Sequence, residues 1–465
     1  MAQGRPRLLR CDHRTGGAVV IAPEGAVSVR GTTRRQRLGE TDSLALVIGV
    51  GAVDRAYADL GNVVTRTPLE FCVRHSSAAG ARVWLKREDL QIVRSYKVRG
   101  AYNLISSLPR DVAVNGVVCA SAGNHAQGVA YACARLGVSA RIYVPRTTPR
   151  QKRDRIRVLG GSLVELRVEG DTYEDSAELA NADAVGSGRF QVPAFDHPDV
   201  IAGQGTVMRE IVEQLEHAPD LVVIPVGGGG LLAGCLAWLA EHHPATAVLA
   251  VEPAGAASLA AALAAGHPVP LESLDTFVDG ASVRQIGEEP MSIITGYPGP
   301  LEVRSVEVGT ICEEMIELFQ TEGLIAEPAG ALAPAALRHL APEQPAPDAR
   351  RDIVCVVSGG NQDISRYAEV AERALVSEGV KHYFIVEFPQ EPGALRRFLD
   401  DVLGPDDDIT LFEYVKRTSR EVGPALVGIE LSSRNDLPRL MASMAESPIH
   451  AQKVDPDNPV FRYLI

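Results

Sequence analysis

The sequence predicts an α/β chain: a large domain on mostly parallel sheets, then a small α+β domain of ferredoxin-like order. Three observations predict it. Short apolar runs alternate with helical patterns from about residue 46 to residue 376. Several of those runs are continuous in Val, Ile and Leu rather than alternating, as strands buried on both faces require. Past residue 380 the pattern changes to β-α-β-β-α, with a closing strand near 449–454.

Taken in order, residues 1–44 stand apart. Residues 1–40 hold eight Arg against Asp12, Glu24 and Glu40 and show no sustained apolar period. They read as a disordered tail, with a start codon set too early or an Arg-rich transit peptide as the other readings. Residues 45–376 form the large domain. Its predicted strands include Gly116–Ser121, Ala140–Pro145, Asp220–Gly227, Ala247–Glu252 and Arg351–Ser358, with helices over Ala126–Leu136 and Leu232–Glu241. The run 341–350, APEQPAPDAR, reads as an exposed loop. Residues 380–465 form the small domain. Its strands are Lys381–Phe388, Asp408–Lys416 and Ala425–Ser432, and its helices Pro392–Leu403 and Asp436–Ala445.

The balance of 46 Lys+Arg against 59 Asp+Glu gives a net charge of −13. That argues against a nucleic-acid partner, which needs a basic footprint. Seven Cys, an odd number at wide spacing with no CxxC pair, argue against a disulfide framework or a zinc site. They read as buried small hydrophobes in a reducing, cytoplasmic setting. Leu221 to Ala240 carries no charge over a membrane-spanning length, but Pro225 and the run Gly227 to Gly230 interrupt it. No membrane partner is expected.

In an open parallel sheet the chemistry lies in the loops beyond the strands' carboxyl ends. Four such loops stand out. In the first, Lys97 lies between Ser95-Tyr96 and Gly100, at the head of an apolar helix read from Ala101, with Arg94 and Arg99 as cations near its amine. The second, Ser121-Ala122-Gly123-Asn124-His125, opens a helix whose free N–H groups suit a carboxylate or phosphate. An ordinary N-cap is the competing reading, and His125 alone is better read as a structural hydrogen-bonding residue than as a general base. In the third, Gly227-Gly228-Gly229-Gly230 runs into Leu231 at a helix start and forms a row of N–H donors for a phosphate. It has neither the lysine of a P-loop nor the glycine spacing of a dinucleotide fingerprint, so the phosphate is a small cofactor's. The fourth is Ser358-Gly359-Gly360-Asn361. A further glycine-bearing turn, Glu327-Pro328-Ala329-Gly330-Ala331, leads into a helix.

Together these loops resemble the fold-type-II pyridoxal-phosphate enzymes, of the tryptophan synthase β-like fold, and most closely the biosynthetic threonine dehydratases. The resemblance runs from about Leu60 to Ile465, through Arg66-Thr67-Pro68-Leu69 and Lys86-Arg87-Glu88-Asp89-Leu90-Gln91. It implies pyridoxal 5'-phosphate as cofactor and Lys97 as the catalytic, Schiff-base lysine that also serves as general base. It implies Asn124 on the cofactor's 3-hydroxyl, Gly227, Gly228, Gly229, Gly230 and Leu231 as the phosphate loop, and Ser358 at the pyridine nitrogen. Ser121, Ala122, Gly123 and His125 become the loop around the substrate carboxylate. The implied reaction converts L-threonine to 2-oxobutanoate and ammonia, the water lost on elimination being regained on hydrolysis of the product; it is the first step of isoleucine biosynthesis. Tyr96 stands where most relatives carry Phe.

Two departures separate the chain from the serine racemases of this fold. Ala122 replaces their second serine. Glu252 is present, but Ser258 stands at the apparent Asp position of their cation site. No metal is expected. Glu391-Pro392-Gly393-Ala394-Leu395 resembles the strand-to-helix turn of ACT-like regulatory domains. That implies feedback inhibition by isoleucine, with valine as a second effector, and a homotetramer; a purely assembling domain is the other reading. The competing functions are a serine dehydratase or other β-eliminase on the same scaffold, and a non-catalytic amino-acid sensor.

Overall fold

The computed structural model describes residues 17–21, 27–31, 48–49, 51–339, 351–414, 421–455, 458, 461 and 464. In chain order the strands are β1 (Gly17–Ile21), β2 (Val27–Gly31), β3 (Leu69–Phe71), β4 (Arg82–Arg87), β5 (Val117–Ala120), β6 (Ala140–Val144), β7 (Val164–Val168), β8 (Phe190–Gln191), β9 (Leu221–Pro225), β10 (Ala247–Pro253), β11 (Leu301–Val306), β12 (Asp352–Val357), β13 (Lys381–Pro389), β14 (Asp408–Tyr414), β15 (Val422–Glu430) and β16 (His450–Val454). Two compact units result: Met1–Val308 with Leu318–Asp363, and Gly309–Glu317 with Ile364–Ile465.

The first unit holds two sheets. The larger runs β1-β2-β11-β10-β9-β12-β4-β3. Its five inner strands, β11 to β4, are parallel, and the flanking pairs are antiparallel. Every residue of β9 and β12 is buried, which is why both read as unbroken apolar runs. The helix Gly230–His242 packs on this sheet through Leu232, Leu236 and Leu239, in one cluster with Val222, Ile224, Val354 and Val356. The smaller sheet, β7-β6-β5-β8, is wholly parallel. Its core joins Val117, Cys119 and Ile142 to Val129 and Cys133 of the helix Asn124–Leu136.

A buried charge cluster ties the front of the unit together. Arg99 and Lys86 are fully buried, as is Glu88, and Glu210 is nearly so. Arg99 donates to Glu88 Oε1 (2.8 Å) and Oε2 (2.8 Å) and to Glu210 Oε1 (2.7 Å), and Lys86 Nζ donates to Glu210 Oε2 (2.7 Å). Two cations and two carboxylates balance, so no charge is left unpaired in a low dielectric. The cluster locks β4, the helix Lys97–Ser107 and the helix Pro198–Leu215 to one another.

Two expectations are corrected here. The helix predicted from Ala101 begins at Lys97. Its first turn carries the buried Arg99, and the pairing of that guanidinium overrides the polar look of the segment. Residues 1–44 are not wholly a tail: β1 and β2 pair with each other, and β2 continues the larger sheet beside β11. Their Val-rich runs, AVVI and VSVR, suit strands. The rest of 1–44, with Cys11, and the loop 341–350 lie outside the described residues.

In the second unit the antiparallel order is β14-β15-β13-β16. Helices Ala394–Val402 and Leu437–Glu446 complete a β-α-β-β-α-β unit. The first of them buries Ala394, Phe398 and Val402, spaced four apart, and Phe398 meets Phe388 edge-on at 5.4 Å. The helix Tyr367–Ser377 belongs here too, because Lys381 and the Tyr383 hydroxyl both donate to its Glu372. The second unit therefore starts ahead of the boundary read near Ser377.

The six described Cys are buried, and none of them forms a disulfide. Among the described residues no helix is long and apolar enough to cross a membrane, and no group of three or more His, Cys, Asp or Glu could hold a metal ion. Glu252 is buried, and its two oxygens accept from the N–H groups of Leu259 (2.6 Å) and Ala260 (2.9 Å), at the start of the helix Ser258–Ala265.

Candidate active site

The four loops meet where β4, β5, β9 and β12 end. Tyr96 N–H donates to the Ser358 carbonyl (3.2 Å), and Ser95 bridges Gly359 across the gap between two loops. Arg94, just before them, adopts φ +55°, a conformation a non-glycine residue holds only under constraint. Its carbonyl accepts from Gly360 N–H (2.9 Å), which supplies that constraint.

Lys97 Nζ donates to the carbonyl of Ala194 (3.0 Å). Burial pushes its ammonium down to about 8, against an opposing pull from the Glu327 carboxylate. An amine in that range is a usable base and nucleophile near neutral pH. The next residue, Phe195, lies against the glycine loop: a Cβ on Gly228 would fall 2.3 Å from its ring, and one on Gly230 would fall 2.9 Å from its carbonyl oxygen. Gly229 takes φ +88°, where only glycine is unstrained. Among the described residues, the N–H groups of Gly227, Gly228 and Gly229 find no acceptor. Those of the first helical turn, which starts at Gly230, have none within the helix. The loop is thus a row of donors. Beside it Ser282 Oγ is buried and unpartnered, next to Ala281, whose Cα lies 3.0 Å from where a Gly227 Cβ would be.

Asn124 is the first residue of its helix. Its Nδ2 donates to Glu327 Oε1, and its Oδ1 accepts from Asn361 Nδ2 (2.6 Å). Ser121 Oγ accepts from Gly123 N–H (3.2 Å), and a Cβ on Gly123 would meet open space. Ala122 packs partly buried against the core of the small sheet. His125 is buried with Nε2 3.0 Å from the Val192 carbonyl, and burial, with the nearby Lys97 charge, holds its imidazole down at about 4. It is neutral at physiological pH, in keeping with the structural reading. Ser358 Oγ donates to the Ala329 carbonyl (3.0 Å).

Lys97, Asn124, the glycine loop and Ser358 therefore converge. Four participants were not legible as such: Ala194, Phe195, Ser282 and Glu327. The first three lie in segments without a motif. Glu327 was visible only as part of a turn.

Comparison with known proteins shows the family. Residues 61–359 match the family of pyridoxal-phosphate-dependent enzymes, and residues 372–464 match the C-terminal regulatory domain of threonine dehydratase. The chain is 55% identical over 413 residues to the biosynthetic L-threonine dehydratase IlvA of Mycobacterium tuberculosis, covering 89% of this chain and 95% of that one. It is 45% identical over 419 residues to the Bacillus subtilis protein of the same name, covering 90% and 98%. Among solved structures, the processed threonine deaminase isoform 2 of Solanum lycopersicum matches with a TM-score of 0.65 at 37% identity, covering 72% of this chain and 94% of that one. Maize serine racemase matches with a TM-score of 0.63 at 28% identity, covering 70% and 98%. With a desolvated lysine, an N–H cradle and a regulatory domain in one chain, this protein belongs to the pyridoxal-phosphate-dependent enzymes, in the branch of the biosynthetic threonine dehydratases.

Proposed function

We propose that the chain is a pyridoxal-phosphate-dependent threonine ammonia-lyase, a carbon–nitrogen lyase that converts L-threonine to 2-oxobutanoate and ammonia and serves isoleucine biosynthesis. The observation that carries it is the meeting of Lys97, with its lowered amine, and a glycine loop whose N–H groups have no acceptor among the described residues. The residues present fit the cofactor. Gly227 to Leu231 offer donors for a phosphate, Lys97 an amine for its aldehyde, Asn124 an amide for its 3-hydroxyl and Ser358 a hydroxyl that would turn from the Ala329 carbonyl to its pyridine nitrogen. When bound, the cofactor supplies the electron sink that stabilises charge at the substrate Cα.

The chain's own residues do the rest. Lys97, once free, takes the Cα proton at Nζ. With its ammonium lowered to about 8, about a tenth of it is already neutral at pH 7. Ser121, Gly123 and the N–H groups opening the helix at Asn124 hold the substrate carboxylate, aided by the helix dipole. Ser358 is a neutral hydroxyl and cannot protonate a ring nitrogen as a carboxylic acid could. This weakens the sink, and favours prompt loss of the β-hydroxyl over reactions that need a long-lived carbanion. Ala122 leaves no second hydroxyl to act as base on the opposite face, so racemisation is poor.

The division of labour between the first unit for catalysis and the second, Gly309–Glu317 with Ile364–Ile465, for regulation is part of this proposal. So are isoleucine as effector, a cytoplasmic site of action and a homotetramer. The test is release of 2-oxo acid from L-threonine by purified protein, with and without L-isoleucine. Turnover lost in Lys97→Ala and suppressed by isoleucine supports the reading. No turnover in cofactor-loaded protein defeats it.

A further inference from the structure

Glu327 is the N-cap of the helix Pro328–Ala336, yet its side chain caps nothing. A carboxylate at that position ordinarily accepts from the first turn of its own helix. This one turns away and takes hydrogen bonds from Asn124 Nδ2 and from the Asn361 backbone N–H instead. The fold leaves it no slack. A Cβ on Gly359 would stand 2.1 Å from Glu327 Oε1, and one on Gly330 would stand 2.0 Å from the Gly359 carbonyl oxygen. Both glycines are thus needed for the carboxylate to fit where it does.

The orientation of the Asn124 amide follows from its neighbours. Asn361 Nδ2 donates to the Val93 carbonyl (2.8 Å), an acceptor only, so that end of Asn361 must be nitrogen. The same nitrogen reaches Asn124, so the atom it meets must be oxygen. The other end of Asn124 is then nitrogen, and it faces Glu327. One of its two N–H bonds is committed there, and the second is left for a ligand. Asn124 therefore presents a fixed donor to the site. Such a donor suits the cofactor's 3-oxygen in its ionised, accepting form.

We propose that Glu327 is a positioning residue of the reaction, which acts through Asn124 to fix the hydrogen-bond polarity presented to the cofactor's 3-oxygen. The inference rests on the pyridoxal-phosphate reading above. The charged and titratable groups around the carboxyl are Lys97, Tyr96, Asp279 and Lys152. Burial, with Asp279, pushes it up to about 7, while Asn124 and Lys152 draw it down. The hydrogen bond from Asn124 is strongest while the carboxyl is ionised, so its hold weakens as pH falls through that range.

The experiment compares wild type, Glu327→Ala, Glu327→Gln and Asn124→Ala, alone and combined. It reads pyridoxal 5'-phosphate affinity by fluorescence and the pH midpoint of the bound cofactor's absorbance band, besides kcat and KM. Glu327→Ala weakens cofactor affinity by about tenfold or more and shifts the absorbance midpoint. Glu327→Gln, which keeps an accepting oxygen, restores most of both. Glu327→Ala combined with Asn124→Ala is no worse than Asn124→Ala alone. A wild-type spectrum and affinity in Glu327→Ala, or effects that multiply in the combined variant, overturn the proposal. Should Glu327→Ala not fold, Asn361→Asp carries the test: it sets an acceptor against Asn124 Oδ1 and shifts the midpoint too, while an unchanged midpoint overturns the proposal. Wild type that takes up no cofactor sinks the pyridoxal-phosphate reading itself, a separate result.

Discussion

Substituting Gly228 with alanine tests whether the glycine loop, Phe195 and Lys97 form one mechanical unit. The added Cβ would lie 2.3 Å from the Phe195 ring. An ordinary carbon contact is about 3.5–4.0 Å, so ring or loop must retreat by more than an ångström. Phe195 has little room, since its carbonyl already abuts Gly230 and the preceding carbonyl, of Ala194, holds Lys97 Nζ. Overpacking of this kind costs about 1–3 kcal/mol of stability. A displacement of about 1 Å at reacting groups costs on the order of a hundredfold in rate. Gly228→Ala should therefore lower the unfolding temperature modestly, weaken pyridoxal 5'-phosphate binding and reduce kcat far more than stability. Thermal unfolding, cofactor fluorescence titration and 2-oxo acid release measure the three effects. Wild-type cofactor affinity and kcat together would refute the coupling of loop, ring and lysine argued from this geometry.

Three further outcomes follow from the same structure. Arg99→Met leaves Glu88 and Glu210 buried against Lys86 alone, and should cost about 3–5 kcal/mol in chemical denaturation; a loss below 1 kcal/mol would show the cluster contributes little. Burial holds the Lys97 ammonium below its usual range, so its base form grows as pH rises; kcat, which reports groups in the substrate complex, should climb on an acid limb and then level off, and a flat profile counts against Lys97 as the base. Gly393 holds φ +86° at the strand-to-helix turn of the second unit, so Gly393→Val should raise the isoleucine concentration needed for inhibition and leave uninhibited turnover intact; unchanged inhibition would place the effector elsewhere.

The sequence made some parts of this molecule readable for identifiable reasons. Buried parallel strands such as β9 and β12 show as apolar runs, and the four glycines after β9 have no use inside a regular element. The β-α-β-β-α-β order of the second unit was legible from apolar runs such as that of β13 and from the four-residue spacing of Ala394, Phe398 and Val402. What stayed hidden depends on long-range pairing. Arg99, Lys86, Glu88 and Glu210 look like surface charges until the fold neutralises them in pairs. The same pairing explains why the helix start at Lys97 was placed too late. Phe195 and Ala194 carry no motif, and they matter only through what packs on them. Glu327 shows in the sequence only as part of a turn into a helix, and its partner Asn124 lies 203 positions earlier in the chain.

The placement of the loops on two sheets has a consequence for divergence. The glycine loop and Ser358 leave the larger sheet, after β9 and β12, whereas Ser121 to His125 leave the smaller one, after β5. The two sheets have separate hydrophobic clusters. On the proposed assignment, substitutions around the smaller sheet can thus reshape the grip on an amino acid while the glycine loop proposed to cradle the cofactor phosphate stays as it was. A lineage built this way can try new substrates without relearning how to hold its coenzyme.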